Sequence, residues 1–248
     1  MQSRREFSQS MLGALTAFGL IETLWSRDLF AAPVKPIIEK WVKDLVEMTG
    51  DLKGARITDV AFQSQMEALF QRVDLSELCS LVDFDEVEKR PLPTNGAAVI
   101  GVDLRKVDGL PEKLAFGKQI FACAKDRSIV PHGHRNLCTG FIILKGKWHG
   151  RHYDKLETRD DHYIITPTID REFDPGSLST VSDHRDNVHW FKAVSETAYI
   201  FNVHIYADWT VSSSTSGRLY LDPDGEKLPG DLIRAPKMSL EECHAKYG

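Results

Sequence analysis

The chain has 248 residues, 42% of them hydrophobic and 27% charged, which suits one domain of moderate size or a core with a helical appendage. A net charge of -5 excludes a global positive field that would hold nucleic acid or anionic lipid. No apolar run reaches the ~18 residues of a membrane span, so no stable span is expected.

Residues 1–32 stand apart from the rest. In "SRREFSQSMLGALTAFGL" the pair Arg4 and Arg5 precedes Phe7 and a short apolar stretch from Met11 to Leu20. This resembles a bacterial twin-arginine export signal. Ser8 and Gln9 stand where that pattern usually has Leu and Lys, Glu22 interrupts the apolar zone, and "DLFAAP" departs from a small-x-small cleavage site. The resemblance implies engagement of the twin-arginine translocase and a periplasmic or exported protein. The other reading of the stretch is a helical extension of a cytoplasmic protein.

Residues 33–95 read as a helical region packing on the β-rich remainder of the chain. Ile37, Ile38, Trp41, Val42, Leu45 and Val46 form one apolar stripe over Pro36 to Met48, with Gly50 expected to end the helix. A second helix is expected from Asp59 to Arg72, with Phe62, Met66, Leu69 and Phe70 inward. A third opens at Asp74, with Glu77 placed as in a capping box. The four cysteines, Cys79, Cys123, Cys138 and Cys243, form no C-x-x-C, which removes zinc-ribbon and thioredoxin readings. In an exported protein Cys123 and Cys138 are the candidate pair; four unlinked thiols are the alternative.

After "RPLPTNG" the pattern changes, and residues 96–248 read as short strands separated by Gly, Pro, Asp and Asn turns. "KQIFACA", "TGFIILKG", "KWHGRHYD", "TAYIFNVHIY" and "GRLYLD" are among them. Many short strands at this spacing indicate an all-β barrel or sandwich. A short helix from Ser239, with Glu242 placed to cap it, closes the chain.

Within "VPHGHRNLCTGFIILKG" His132 and His134 are two apart, so on an extended strand both imidazoles share a face. Five residues after His134 comes Thr139, and seven further on Gly146. The spacing H-x-H-x4-(E)-x6-G resembles the first motif of the cupins, with Thr139 in the Glu slot. "FDPGSLSTVSDHRDNVHWFKA" resembles their second motif, with His189 at the third ligand position. The likeness covers roughly Lys118 to Tyr206. It implies a cupin-like small β-barrel, or jelly roll, with the N-terminal helices packed on it.

Within that family, "DNVHWFKAVSETAYIFNVHIY" is similar to the thiol dioxygenases. That likeness implies one Fe(II) held by His132, His134 and His189, with no carboxylate. It implies that His204 and Tyr206 line the iron site and that a small thiol and O2 are the substrates. Thr139 would then mark this subgroup and line the substrate site. In some members a cysteine in the Thr139 slot is cross-linked to the tyrosine. Here Cys138 is one residue off and faces the other way, so no cross-link is expected. A substrate carboxylate would need an arginine; Arg105 is a weak match, and Arg127 and Arg135 are further candidates.

The last strand supports a lumen. In "IFNVHIY" Phe201, Val203 and Ile205 alternate with Asn202, His204 and Tyr206. The polar three face either the lumen or solvent. His184 competes with His189 from five residues upstream, but "VHWF" places His189 on a strand. Three imidazoles also suit other divalent ions. A non-catalytic metal- or ligand-binding protein, and a Zn- or Mn-dependent isomerase or hydrolase, are the alternative readings.

Overall fold

The computed structural model describes residues 38–206 and 217–248. The export-signal reading of residues 1–32 lies outside them. Helix α1 (Ile38–Lys53) buries Trp41, Val42, Leu45, Met48 and Leu52. It runs through Gly50, where the sequence pattern predicted its end, and turns only at Ala55, whose φ is 52°. Leu52 extends the buried stripe by one turn, and that burial outweighs the cost of about 1 kcal/mol for a helical glycine.

Helix α2 (Asp59–Phe70) is capped by Thr58 and buries Phe62, Met66, Leu69 and Phe70. Helix α3 (Leu75–Leu81) is capped by Asp74, which accepts from the backbone of Ser76 and Glu77. The Glu77 carboxylate accepts from the Ile38 backbone N–H at 3.0 Å, tying α3 to the start of α1. A one-turn helix, α4 (Phe84–Glu88), follows Asp83 and was not expected from the sequence.

The strands are β1 (Ala98–Gly101), β2 (Gly117–Ala124), β3 (Ser128–Arg135), β4 (Leu137–Lys145), β5 (Trp148–Thr158) and β6 (His162–Phe173). They continue as β7 (Leu178–Val181), β8 (Val188–Ala193), β9 (Thr197–Tyr206), β10 (Gly217–Leu221), β11 (Glu226–Leu228) and β12 (Leu232–Met238). One sheet has the order β1-β2-β9-β4-β7 and the other β10-β3-β8-β5-β6-β12-β11. From β2 to β5, and again from β7 to β10, successive strands alternate between the sheets. All pairings are antiparallel. This winding makes a two-sheet jelly roll, as the resemblance to the cupin motifs implied.

Alternation along the strands sorts two cores. Cys138, Ile142, Phe201, Val203 and Ile205 join the helices in one cluster. Phe121, Cys123, Phe141, Trp148, Phe173, Phe191 and Ile200 form another, between the sheets. Gly140 lets α2 approach β4: a Cβ there would stand 2.2 Å from the Met66 sulfur and 2.8 Å from the Phe70 ring. Cys123 and Cys138 belong to different clusters and both thiols are free, so the disulfide considered from the sequence is absent. Helix α5 (Leu240–Tyr247), with Ser239 and Glu242 in a capping box, packs Cys243 and Tyr247 on Val130 of β3. No helix among the described residues is long and apolar enough to cross a membrane.

Candidate metal centre

His132, His134 and His189 meet inside the barrel. One nitrogen from each ring lies within 4.8 Å of those of the other two, and all three residues are buried. Ring centroids are 4.3 Å apart for His132 and His189, 4.9 Å for His132 and His134, and 5.1 Å for His134 and His189.

A β-bulge produces the convergence. Ile129 pairs with Phe191 and His132 with His189, so β3 spends three residues where β8 spends two. Val130 and Pro131 therefore stand together opposite Trp190. The extra residue turns Ile129 and His132 to the same side, although they are three positions apart. Proline is tolerated at such a bulge because no ladder hydrogen bond is demanded of it. The bulge also aims the ring: His132 Nδ1 lies 2.8 Å from the Val130 carbonyl oxygen. Only a protonated Nδ1 bonds a carbonyl, which leaves Nε2 with its lone pair free. His189 Nδ1 lies 3.3 Å from the Asn187 carbonyl oxygen and follows the same logic.

Burial keeps these rings neutral. It drives the pKa values of His132 and His134 well below the ordinary imidazole range, with their neighbouring rings adding to the effect. Burial likewise pushes His189 down to about 3. Three neutral nitrogen donors fit a first-row divalent ion, since a protonated ring would not coordinate.

The cavity over the rings measures about 220 Å³. Phe121, Ile129 and Phe141 give it an apolar floor, and Gln119, Thr139, Asn202, His204 and Tyr206 a polar wall from the facing sheet. No carboxylate lines it among the described residues. Thr139 is buried and pairs across strands with His204. The His204 Nδ1 lies 3.3 Å from Asn202 Oδ1, which also accepts from Gln119 at 3.2 Å. Gly117 leaves room for the His204 ring, whose Nε2 would be 2.1 Å from a Cβ at that position. Tyr206, 39% exposed, sits at the rim. Cys138 points to the helices, its sulfur 4.0 Å from the Asp59 carbonyl oxygen and its pKa raised mainly by burial.

The arginines considered from the sequence do not line this cavity. Arg105 pairs with Asp103, its side chain 90% exposed, and lines a separate surface hollow with Leu110 and Lys118. It lies in a turn rather than a strand, so its register offers no path to the lumen. Arg127 donates to the Gly248 carbonyl oxygen at 3.2 Å, and Arg135 is exposed at the end of β3. Among the described residues the arginine that lines the cavity is Arg218, opposite His134 on β10. Its signal was the alternation of "GRLYL", which sets Arg218 apart from the buried Leu219 and Leu221.

His184 is on the surface, its Nδ1 2.7 Å from an Asp59 carboxylate oxygen, outside the triad. His149 also faces outward, paired with Asp170 at 2.5 Å. His152 is fully buried beside His189, ring centroids 6.2 Å apart. The three-residue spacing of His149 and His152 along one strand puts them on opposite faces, but it does not say which of the two faces inward.

No protein-family model matches the chain, and neither does any curated protein. Among solved structures, recombinant oxalate oxidase in complex with glycolate is 16% identical, with a TM-score of 0.36, over 52% of this chain and 56% of that one. An uncharacterized conserved protein with a double-stranded beta-helix domain from Klebsiella pneumoniae is 11% identical over 54% and 84%, with a TM-score of 0.35. Procruciferin, the 11S globulin of Brassica napus, is 12% identical, with a TM-score of 0.32, over 44% of this chain and 23% of that chain. The chain therefore spans less than two thirds of the length of procruciferin and of oxalate oxidase.

Proposed function

We propose that the protein is a mononuclear iron dioxygenase that converts a small thiol to its sulfinic acid. The observation that carries this reading is the convergence of three buried, neutral imidazoles in a lumen whose described walls offer no carboxylate. In the balanced reaction RSH and O2 give RSO2H; sulfur gives up four electrons, O2 accepts them, and both oxygen atoms end on sulfur.

Fe(II) held by His132, His134 and His189 would supply the site where thiolate and O2 meet, keeping its full charge because the ligands carry none. The chain's own groups set the rest. A cavity of about 220 Å³ admits a small molecule. Phe121, Ile129 and Phe141 exclude water from the floor. Arg218 offers a fork for an anionic end of the substrate. The hydrogen bond from His204 to Asn202 fixes that ring, and His204 and Tyr206 orient the substrate from the wall and rim. Thr139 adds a small hydroxyl beside them. The Arg4–Arg5 segment supports export of the folded protein to the periplasm, which cell fractionation would test.

The test is oxygen uptake by iron-loaded protein across a panel of small thiols. Consumption of one O2 per thiol, lost in His189→Ala, is expected. Tight metal binding without turnover would leave a storage or sensing protein, and turnover with Zn and no oxygen demand would leave a hydrolase or isomerase.

A further inference from the structure

Asn187 lies two residues before His189, in the loop between β7 and β8, and is buried. Its backbone oxygen is the partner of His189 Nδ1 at 3.3 Å. Its side-chain Nδ2 donates to the backbone oxygen of His134 at 3.0 Å and to that of Ser182 at 3.1 Å. One residue therefore grips both segments that supply the ligands.

Its Oδ1 is buried without a hydrogen-bond partner. A buried oxygen in that state costs stability, so the amide is not held there for its acceptor. The same oxygen lies 2.4 Å from where a Cβ on Gly133 would stand, with Leu219 2.8 Å away. The amide thus fills the space that any side chain between His132 and His134 would occupy. That is why the residue between the two histidines is glycine.

The loop is anchored independently of the rings. Ser182 Oγ accepts from the backbone N–H of His184 and Arg185, at 3.4 and 3.2 Å. Arg185 reaches Glu67 at 2.5 Å, and His184 reaches Asp59. Asn187 is therefore held from α2 before any ligand is present.

We propose that Asn187 is the positioning residue of the metal centre: its side-chain amide ties the backbone carbonyls of His134 and Ser182 to the strand entry whose own backbone oxygen takes the His189 ring, and so sets the separation of the two ligand segments. This rests on reading the triad as a metal site, and it adds a residue that touches neither metal nor substrate.

Co(II) titration followed by visible absorption tests it, with Asn187→Ser as the main variant, Asn187→Asp as the second, and Thr49→Ala as the control. Thr49 is buried in α1, and its hydroxyl donates within its own helix, to the Leu45 oxygen at 2.7 Å. The Asn187 variants are expected to weaken Co(II) binding about 10- to 100-fold and to change the absorption bands. Thr49→Ala is expected to lower the thermal midpoint and leave both untouched. An Asn187→Ser protein with wild-type affinity and spectrum overturns the proposal, as does an equal loss in Thr49→Ala. Wild-type protein that takes up no Co(II) overturns the metal reading itself, and the inference falls with it.

Discussion

His152 stands directly opposite His189 across β5 and β8, as His132 does across β3, so three histidines form one row through the sheet. With His134 they make four buried imidazoles whose pKa values burial lowers. Unfolding exposes them to water, where they take up protons near pH 6.5. Below that pH the unfolded chain binds more protons than the native one, so stability falls as pH drops. Each of the four rings adds to that slope in the same direction.

Metal-free protein is therefore expected to lose stability steeply between pH 6.5 and 5, against a typical total of about 5–15 kcal/mol. A metal that binds only the native state moves the loss to lower pH. Denaturant midpoints measured across that range check this. A flat profile down to pH 5 in the metal-free protein would sink it.

Gly140 faces the helices, and its neighbour Thr139 faces the lumen. Gly140→Val is expected to cost about 1–3 kcal/mol by overpacking against Met66 and Phe70. Metal uptake is expected to stay as in the wild type. Unchanged denaturant stability would contradict the close approach of α2 to β4.

Arg218 lines the cavity, whereas Arg105 is engaged with Asp103 at the surface. Arg218→Ala is expected to raise KM about 10- to 100-fold for thiols bearing a carboxylate. Uncharged thiols are expected to change little, and Arg105→Ala to change neither. Equal effects on charged and uncharged thiols would remove Arg218 from substrate recognition.

The thiols of Cys123 and Cys138 lie on opposite sides of one sheet. Burial raises both pKa values, that of Cys123 to about 12. Native protein is expected to resist alkylation at both, and denatured protein to react fully. An intact mass short by a hydrogen pair would reveal a disulfide or a thioether and contradict this arrangement.

The short strands made an all-β barrel or sandwich legible, and the resemblance of two segments to the cupin motifs implied the jelly roll and the meeting of His132, His134 and His189. Phe201, Val203 and Ile205 do join the helix-packed core, with Asn202 and His204 on the lumen side. The bulge at Val130–Pro131 was not legible, because a register slip belongs to two strands and is written in neither alone. Arg218 was hidden for a similar reason: its place opposite His134 depends on a pairing between segments more than eighty residues apart. Gly50 misled because its local propensity to end a helix is overridden by the burial of Leu52, which continues the Leu45–Met48 stripe past the glycine.

Metal content of the purified, metal-loaded protein tests the central claim most directly. One ion per chain is expected in wild type and in His184→Ala, and close to none in His132→Ala, His134→Ala or His189→Ala. Wild-type protein that holds no ion, or triad variants that hold as much as the wild type, would contradict it.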